Sequence, residues 1–184
     1  MPEGFAYREG AISEDEETNA IRFMEELPFK PFEFHGYLGN RRVVSYGWRY
    51  DYAAHSLRGS PPLPDFLNPL RAIAANFAGL PAESLQQALI TEYAPGAGIG
   101  WHRDKPNFKD VMAFSFLSAC RLRFRRKSWT GWERAAIDIQ PRSIYLLRGA
   151  ARHDWYHSIP AVNALRYSIT FRNFADASSQ RDTP

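Results

Sequence analysis

Beyond residue 86 the chain is divided into short runs that are bounded by Gly, Pro or Asn. Within these runs apolar and polar residues alternate, or nearly every residue is apolar, which is typical of strands. Many short strands at this spacing predict an antiparallel β-sandwich or barrel. The runs are Gln87–Tyr93, Val111–Ser118, Arg121–Arg126, Ala135–Ile139, Ser143–Arg148 and Leu165–Phe174.

Two amphipathic helices are predicted before this β region. Ser13 and Glu16 have the spacing of a capping box, so we expect a helix over residues 14–27. Apolar residues recur at helical spacing from Phe66 to Phe77, and Gly79 would end that second helix. The predicted fold class is therefore α+β, mainly β, with helices packed against an antiparallel core.

Length and composition predict one domain over residues 1–184, which is long enough to bury a sizeable core. The longest apolar runs fall far short of the ~20 residues of a membrane-spanning helix, and we expect no signal peptide. The single cysteine, Cys120, excludes an intrachain disulfide framework and a zinc ribbon. We expect a cytoplasmic monomer.

Positive charge is concentrated in the later part of the chain. Residues 61–184 carry 16 Lys and Arg against 10 Asp and Glu, whereas residues 1–60 carry 7 against 10. This distribution fits an anionic partner, and a mixed, solvated surface explains it equally well. The run Arg121–Lys127 is correspondingly either a phosphate track or a solvated outer strand.

A candidate metal site begins with His102 and Asp104. In an extended segment, residues i and i+2 point to the same side, so both side chains could reach one ion. One imidazole and one carboxylate are two thirds of the facial triad that binds mononuclear non-haem iron. The local sequence leaves both His153 and His157 open as the third ligand. His35 and His55 are expected at the surface or in packing.

The last run, Leu165–Arg172, contains two arginines that alternation places on one face, away from Tyr167, Ile169 and Phe171. An arginine facing a barrel interior needs an anion, because a buried unpaired charge is costly. A guanidinium can bind a carboxylate through two parallel hydrogen bonds. The alternative is that both arginines, Arg166 and Arg172, face solvent on an edge strand.

Four motifs occur in an order that resembles the AlkB family of iron- and 2-oxoglutarate-dependent dioxygenases. The resemblance runs from about Phe34 to Phe174, most of the chain. The motifs are Tyr93-x-Pro95-Gly96, His102-x-Asp104, Trp155-x-His157 and the run Arg166-Tyr-Ser-Ile-Thr-Phe-Arg172.

The resemblance implies a double-stranded β-helix, or jelly roll, with helices buttressing one sheet. It implies that Fe(II) is bound by His102, Asp104 and His157, and so favours His157 over His153. It assigns the distal carboxylate of 2-oxoglutarate to Arg166, with Tyr93 donating a hydrogen bond nearby. Many family members have asparagine where this chain has Thr91. Arg172 would lie near the metal-side carboxylate and the substrate base.

On the substrate side, residues 40–52 resemble the family's nucleotide-recognition lid. Aromatic residues can stack on bases and arginines can contact phosphate, whereas the alternative is a hairpin that packs on the core. The predicted substrate contacts are Tyr46, Trp48 and Tyr52, which share one parity, and Arg42. The predicted regions are a lid at about 34–60, a catalytic core at about 86–174 and a flexible tail at 175–184.

The function implied is oxidative demethylation of N-alkylated bases in DNA or RNA, using Fe(II), 2-oxoglutarate and O₂. Formaldehyde, succinate and CO₂ would be released, and a base in a duplex would have to be flipped out. The same chemistry on a protein side chain or a small metabolite is the alternative. A nucleic-acid-binding module that has lost catalysis is a third reading, against which the full set of site residues argues.

Overall fold

The computed structural model describes residues 1–34, 37–51 and 56–175, so most of the predicted tail lies outside the described residues. Thirteen strands and three α-helices occur in that part of the chain. In chain order they are β1 (Phe5–Arg8), α1 (Glu14–Glu25), β2 (Lys30–Phe34), β3 (Tyr37–Tyr46), β4 (Trp48–Asp51), β5 (Ser56–Gly59), α2 (Asn68–Ala78), β6 (Gln87–Tyr93), β7 (Ile99–His102), β8 (Phe108–Phe116), β9 (Cys120–Ser128), β10 (Gly131–Ile139), β11 (Ser143–Leu147), α3 (Gly149–His153), β12 (Tyr156–Ile159) and β13 (Arg166–Phe174).

The strands form two antiparallel sheets and a separate hairpin. The larger sheet has seven strands in the order β1-β11-β8-β13-β6-β3-β2, and the smaller has four in the order β10-β9-β12-β7. Within the described residues, strands β4 and β5 pair only with each other. Sequence neighbours are thus often separated within a sheet, as in a double-stranded β-helix, and the predicted fold class is confirmed.

Each face of the larger sheet covers a different hydrophobic cluster. Ile90, Phe114 and Ile169 face α1 and α2 in one cluster. Residues of opposite parity, such as Tyr93 and Ala113, face the smaller sheet in the other. The side chains of the candidate active site lie in this second layer, between the two sheets.

The two predicted helices are present, although α1 ends at Glu25, two residues before its predicted end. The Glu16 amide donates to the Ser13 hydroxyl over 3.2 Å, and the Ser13 amide donates to the Glu16 carboxylate over 2.7 Å. Gly79 ends α2 in the left-handed conformation, with φ of 65°. Within the described residues, no helix is both long and apolar enough to cross a membrane.

The structure places much of the predicted lid in the main sheet. Strand β3 pairs with β6, from Arg42 opposite Glu92 to Tyr46 opposite Ala88. The chain then bends at Gly47, whose φ is 73°, before the β4–β5 hairpin begins. This bend interrupts strand alternation, so the prediction that Tyr46 and Trp48 share a face was wrong. Tyr52 lies outside the described residues.

Replacing Gly47 by Ala should lower the free energy of unfolding by roughly 3 kcal/mol. A left-handed backbone costs a non-glycine residue ~1–2 kcal/mol, and overpacking adds roughly 1–3 kcal/mol. Overpacking applies because a Cβ at Gly47 would lie 2.0 Å from the Gln86 carbonyl oxygen. Gly79→Ala is the matched control, since φ there is 65° and nothing lies within 4 Å of a Cβ. Urea unfolding that gives equal losses for both variants would contradict this account.

Candidate active site

His102, Asp104 and His157 meet between the two sheets. One ligand atom from each lies within 4.8 Å of the others. The His157 Nε2 atom is 3.6 Å from Asp104 Oδ2, too far for a hydrogen bond, and the centres of the His102 and His157 rings are 4.2 Å apart. Two imidazoles and one carboxylate that converge without bonding to each other are a donor set suited to Fe(II) with open coordination positions.

Strand pairing brings these residues together. His102 is at the end of β7 and is directly opposite His157 on β12. Asp104 follows two residues after His102, in a loop that Arg152 supports from within. The buried Arg152 guanidinium donates to the carbonyl oxygens of Lys105 and Phe108. His153 is exposed on α3 and is not part of the cluster, so the structure places His157 there, as the family resemblance implies.

Both imidazoles are suited to metal binding in their neutral form. Burial, together with the neighbouring His102, lowers the pKa of His157 to about 3, despite the opposing effect of Asp104. Burial also lowers the pKa of His102, despite the opposing effect of Asp104. His102 Nδ1 lies 2.9 Å from the Gly100 carbonyl oxygen, so a proton on Nδ1 leaves the Nε2 lone pair free for a metal.

Arg172 holds the Asp104 carboxylate in place. Its Nε and Nη2 atoms donate to Asp104 Oδ1 over 3.1 and 2.8 Å, and its Nη1 donates to the Gln87 side-chain oxygen over 2.8 Å. Although burial favours the protonated form of Asp104, the charge of Arg172 and of the other nearby basic groups lowers its pKa well below the usual range. Asp104 is therefore ionised, with Oδ2 turned towards His157.

Arg166 is fully buried and is only partly hydrogen-bonded. Its Nε donates to the Ser115 hydroxyl over 3.0 Å, and its guanidinium lies over the Tyr93 ring, 5.0 Å from the ring centre. Neither terminal nitrogen has a hydrogen-bond partner among the described residues. Two parallel N–H groups left open in a buried site are the arrangement that a carboxylate would complete.

Thr91 lies on the same face of β6 as Tyr93 and Gln87, which alternation requires. It is buried, and it is paired in register with Ser168 of β13. The structure thus brings together the predicted positions Thr91, Tyr93 and Arg166 along two adjacent strands.

Sequence reasoning missed three residues that support the site: Gln87, Ser115 and Arg152. Ser115 interrupts the apolar run of β8, and Gln87 has the parity of Thr91 and Tyr93. Each pattern was a signal that an inward-facing residue is polar. Arg152 had no such signal, because its short helix was not predicted.

Two predicted substrate contacts have other partners. Arg42 forms a two-point ion pair with Glu92, with both N–O distances 2.7 Å. Tyr46 packs against the helix-side cluster, on the side of the sheet away from Asp104. Both lie at even positions of β3, so they face the helices. These positions argue against direct contact with a substrate at the His102 cluster.

Trp48 is the predicted substrate contact that lies near the candidate active site. It is half-exposed and meets Phe174 edge-on, with ring centres 5.7 Å apart. Phe174 stacks on Phe108, over which the Arg172 guanidinium lies at 5.2 Å. A continuous set of ring contacts therefore joins the β4–β5 hairpin to the Arg172–Asp104 pair.

Comparison with known proteins identifies related sequences. A family model described as the 2OG-Fe(II) oxygenase superfamily matches residues 13–172. The chain is 30% identical over 147 residues to an "Alkylated DNA repair protein ALKBH8 homolog" of Arabidopsis thaliana, covering 67% of this chain and 42% of that protein. It is also 30% identical over 109 residues to "Uncharacterized protein L905" of Acanthamoeba polyphaga mimivirus, covering 52% of this chain and 51% of that protein. The chain spans about half the length of these curated relatives.

Solved structures share the fold. The structure of OsALKBH1 superposes with a TM-score of 0.69 and 16% identity, covering 94% of this chain and 97% of that chain. A prolyl-4-hydroxylase of Pseudomonas putida superposes with a TM-score of 0.64 and 12% identity, covering 94% and 93%. At these identities the likeness concerns the fold alone.

Replacing His102, Asp104 or His157 by Ala should weaken Fe(II) binding by more than about 100-fold. Even residues that only support metal ligands contribute roughly 10–100-fold to affinity, so a lost ligand should cost more. Anaerobic calorimetric titration of each variant would measure this. His153→Ala is the control and should bind as the unaltered chain does. Loss of binding in His153→Ala with retention in His157→Ala would contradict the assignment.

Proposed function

The chain belongs to the 2OG-Fe(II) oxygenase superfamily and is AlkB-like within it, and from this premise we propose that it demethylates N-alkylated bases in DNA or RNA. Membership implies Fe(II), 2-oxoglutarate and O₂ as cofactor and cosubstrates. We assign Fe(II) to His102, Asp104 and His157, which offer the donor set that this metal requires.

The observation that carries the cosubstrate assignment is the open guanidinium of Arg166. A fully buried cation with two unused donors requires an anion, and the distal carboxylate of 2-oxoglutarate matches it in charge and in shape. Tyr93 borders the same space, and we assign it and Thr91 to the cosubstrate as well. Both lie on β6, Tyr93 directly opposite Arg166 and Thr91 two residues closer to the position opposite Arg172.

With Fe(II) and 2-oxoglutarate bound, O₂ would be the oxidant: one oxygen atom would enter the succinate that forms as 2-oxoglutarate loses CO₂, and the other would hydroxylate a substrate C–H bond. The protein's residues bind and orient these groups. Arg172 keeps Asp104 ionised and fixes one of its oxygens, while neutral His102 and the buried, neutral His157 present their nitrogens. An N-methyl group hydroxylated on carbon is a hemiaminal, which releases formaldehyde and restores the N–H group.

The substrate class rests on two supports. The Arabidopsis relative is named as an alkylated-DNA repair protein, and this chain is 30% identical to it over 147 residues. The half-exposed Trp48 is the outermost ring in the series of contacts that leads through Phe174 and Phe108 to Arg172, and a base could stack on it. The fold does not choose the substrate, because a prolyl-4-hydroxylase shares it.

Replacing Arg166 by Lys should raise the 2-oxoglutarate concentration needed for half-maximal rate by roughly tenfold or more. Lysine keeps the charge but loses the planar pair of donors, and hydrogen bonds to charged groups contribute about 1.5–3 kcal/mol. Succinate formation across a 2-oxoglutarate series would measure the change. Arg148→Lys is the control, because Arg148 already pairs with Asp110 over 2.8 Å. Equal requirements in the Arg166→Lys and unaltered proteins would place the carboxylate elsewhere.

The substrate proposal is tested with a panel of oligonucleotides that carry N-methylated bases. Iron-loaded protein with 2-oxoglutarate should convert at least one base to its unmethylated form, with one formaldehyde released for each base restored. Mass spectrometry of the bases would detect this, and Asp104→Ala is the negative control. Succinate production without any restored base, together with hydroxylation of a peptide or a metabolite, would replace nucleic acid by that substrate class.

A further inference from the structure

The outer surface of the four-stranded sheet carries interleaved basic and aromatic side chains. Strands β7 and β12 direct His102 and His157 inwards, so their neighbours Trp101 and Tyr156 point out. On β9, Leu122 and Phe124 are buried inside, and Arg123 and Arg125, which alternate with them, face outwards. We call this surface the arginine–tryptophan face, and it consists of Trp101, Arg123, Arg125, Lys127, Trp132, Arg134 and Tyr156.

Arg125 is the centre of this face. Its guanidinium lies over the rings of Trp101 and Trp132, 4.5 Å from each ring centre, and 5.8 Å from the ring centre of Tyr156. Stacking uses the flat faces of a guanidinium and leaves its in-plane N–H groups as donors. The buried Nε of Arg125 has no hydrogen-bond partner in the part of the chain that the structure describes.

Neighbouring arginines on the same strand are compensated differently. Arg121 pairs with Asp138 over 2.9 Å, and Arg126 pairs with Glu133 over 2.7 Å. Arg123 donates to the Ser158 hydroxyl over 3.2 Å. Among the described residues, no carboxylate forms an ion pair with Arg125. Its charge is therefore held in a fixed orientation by two indoles and is left available for an external anion.

Charge and exposure favour an anion that also presents flat rings. Two exposed cations lie beside Arg125: Arg134 is opposite it on β10, and Lys127 is two residues further along β9, 5.5 Å from the centre of the Trp132 ring. Trp132 is 39% exposed, and Trp129, in the β9–β10 turn, is fully exposed. Exposed aromatic side chains beside phosphate-binding cations are the combination that binds single-stranded nucleic acid, since bases stack on the rings.

We propose that the arginine–tryptophan face binds single-stranded nucleic acid, with a phosphate at Arg125 and a base stacked on Trp132. This inference rests on the proposed function, because it supplies a second contact for the same class of substrate. It differs from the His102 cluster in position, since it lies on the opposite side of the sheet that holds His102 and His157.

The width of the four-stranded sheet limits the length of single-stranded nucleic acid that the arginine–tryptophan face can hold. Four neighbouring strands span about 14 Å from the first to the last. At about 3.4 Å per stacked nucleotide, that width holds roughly four nucleotides. Strand β7 is the edge of the sheet and ends at His102, so a nucleic acid could pass over this edge from the face to the active site.

Fluorescence anisotropy with an unmodified single-stranded oligonucleotide, over a series of salt concentrations, tests the proposal. Arg125→Gln should lower affinity about tenfold at low salt and reduce the slope of log affinity against log salt by about one. Trp132→Ala should lower affinity at least fivefold with the slope unchanged, because stacking releases no counterions. Arg125→Lys should keep the slope and still lose affinity, since it keeps the charge without the planar group.

Arg121→Gln is the matched control. It removes one positive charge from the outward side of the same strand, but Arg121 already pairs with Asp138. Its salt slope should stay that of the unaltered protein, and circular dichroism should show that all four variants are folded. Equal slopes for Arg125→Gln and Arg121→Gln would overturn the proposal. Preferential, Arg125-dependent binding of anionic lipid vesicles or of an acidic peptide would overturn it too.

This binding experiment and the demethylation panel together separate this inference from the proposed function. If no methylated oligonucleotide is demethylated while the Arg125-dependent binding is observed, the proposed function fails and the arginine–tryptophan face stands. If bases are demethylated while Arg125→Gln binds nucleic acid like the unaltered protein, the face is refuted and the proposed function stands.

Discussion

Strand β13 places two buried guanidinium groups between the sheets, and the rest of the site depends on how each is compensated. A buried charge is tolerated only where an opposite charge and hydrogen bonds replace its lost hydration. Arg172 is compensated within the protein, by the Asp104 carboxylate and the Gln87 amide oxygen. Arg166 donates one hydrogen bond, to Ser115, and the described residues provide no partner for its two terminal nitrogens.

This difference separates the roles of the two arginines. Because Arg172 fixes one oxygen of Asp104, the other oxygen stays turned towards His157, and the carboxylate cannot rotate away from the metal position without breaking two hydrogen bonds. Arg166 instead keeps its donors for a molecule from outside the protein. The register of β13 against β6 sets the spacing, since Arg166 is opposite Tyr93 and Arg172 is opposite Gln87.

Because apolar and polar residues alternate in the sequence, it could be predicted which residues of β6 and β13 share a face. The bounds of β6 were also predicted correctly. Capping residues likewise predicted the start of α1 and the end of α2.

The prediction failed where contacts between distant segments decide the structure. Nothing near Arg42 indicated that Glu92, fifty residues later, would bind it. The close approach of Gly47 to Gln86, which redirects Trp48, is also a long-range contact. The short strand β12 and helix α3 carry too few residues for a periodic pattern, so the choice of His157 over His153 required the family resemblance.

The unpaired terminal N–H groups of Arg166 lower the stability of the folded protein as long as no anion is bound. Burial of an uncompensated charge costs several kcal/mol, and a bound carboxylate would recover part of that cost by stabilising the folded form alone. The other face of β13 supplies an offset within the protein, because Tyr167, Ile169 and Phe171 are buried against the helix-side cluster. Full burial of such a side chain contributes roughly 1.5–3 kcal/mol. Because successive residues of a strand face opposite ways, the same nine residues that hold the polar site also anchor it in the apolar core.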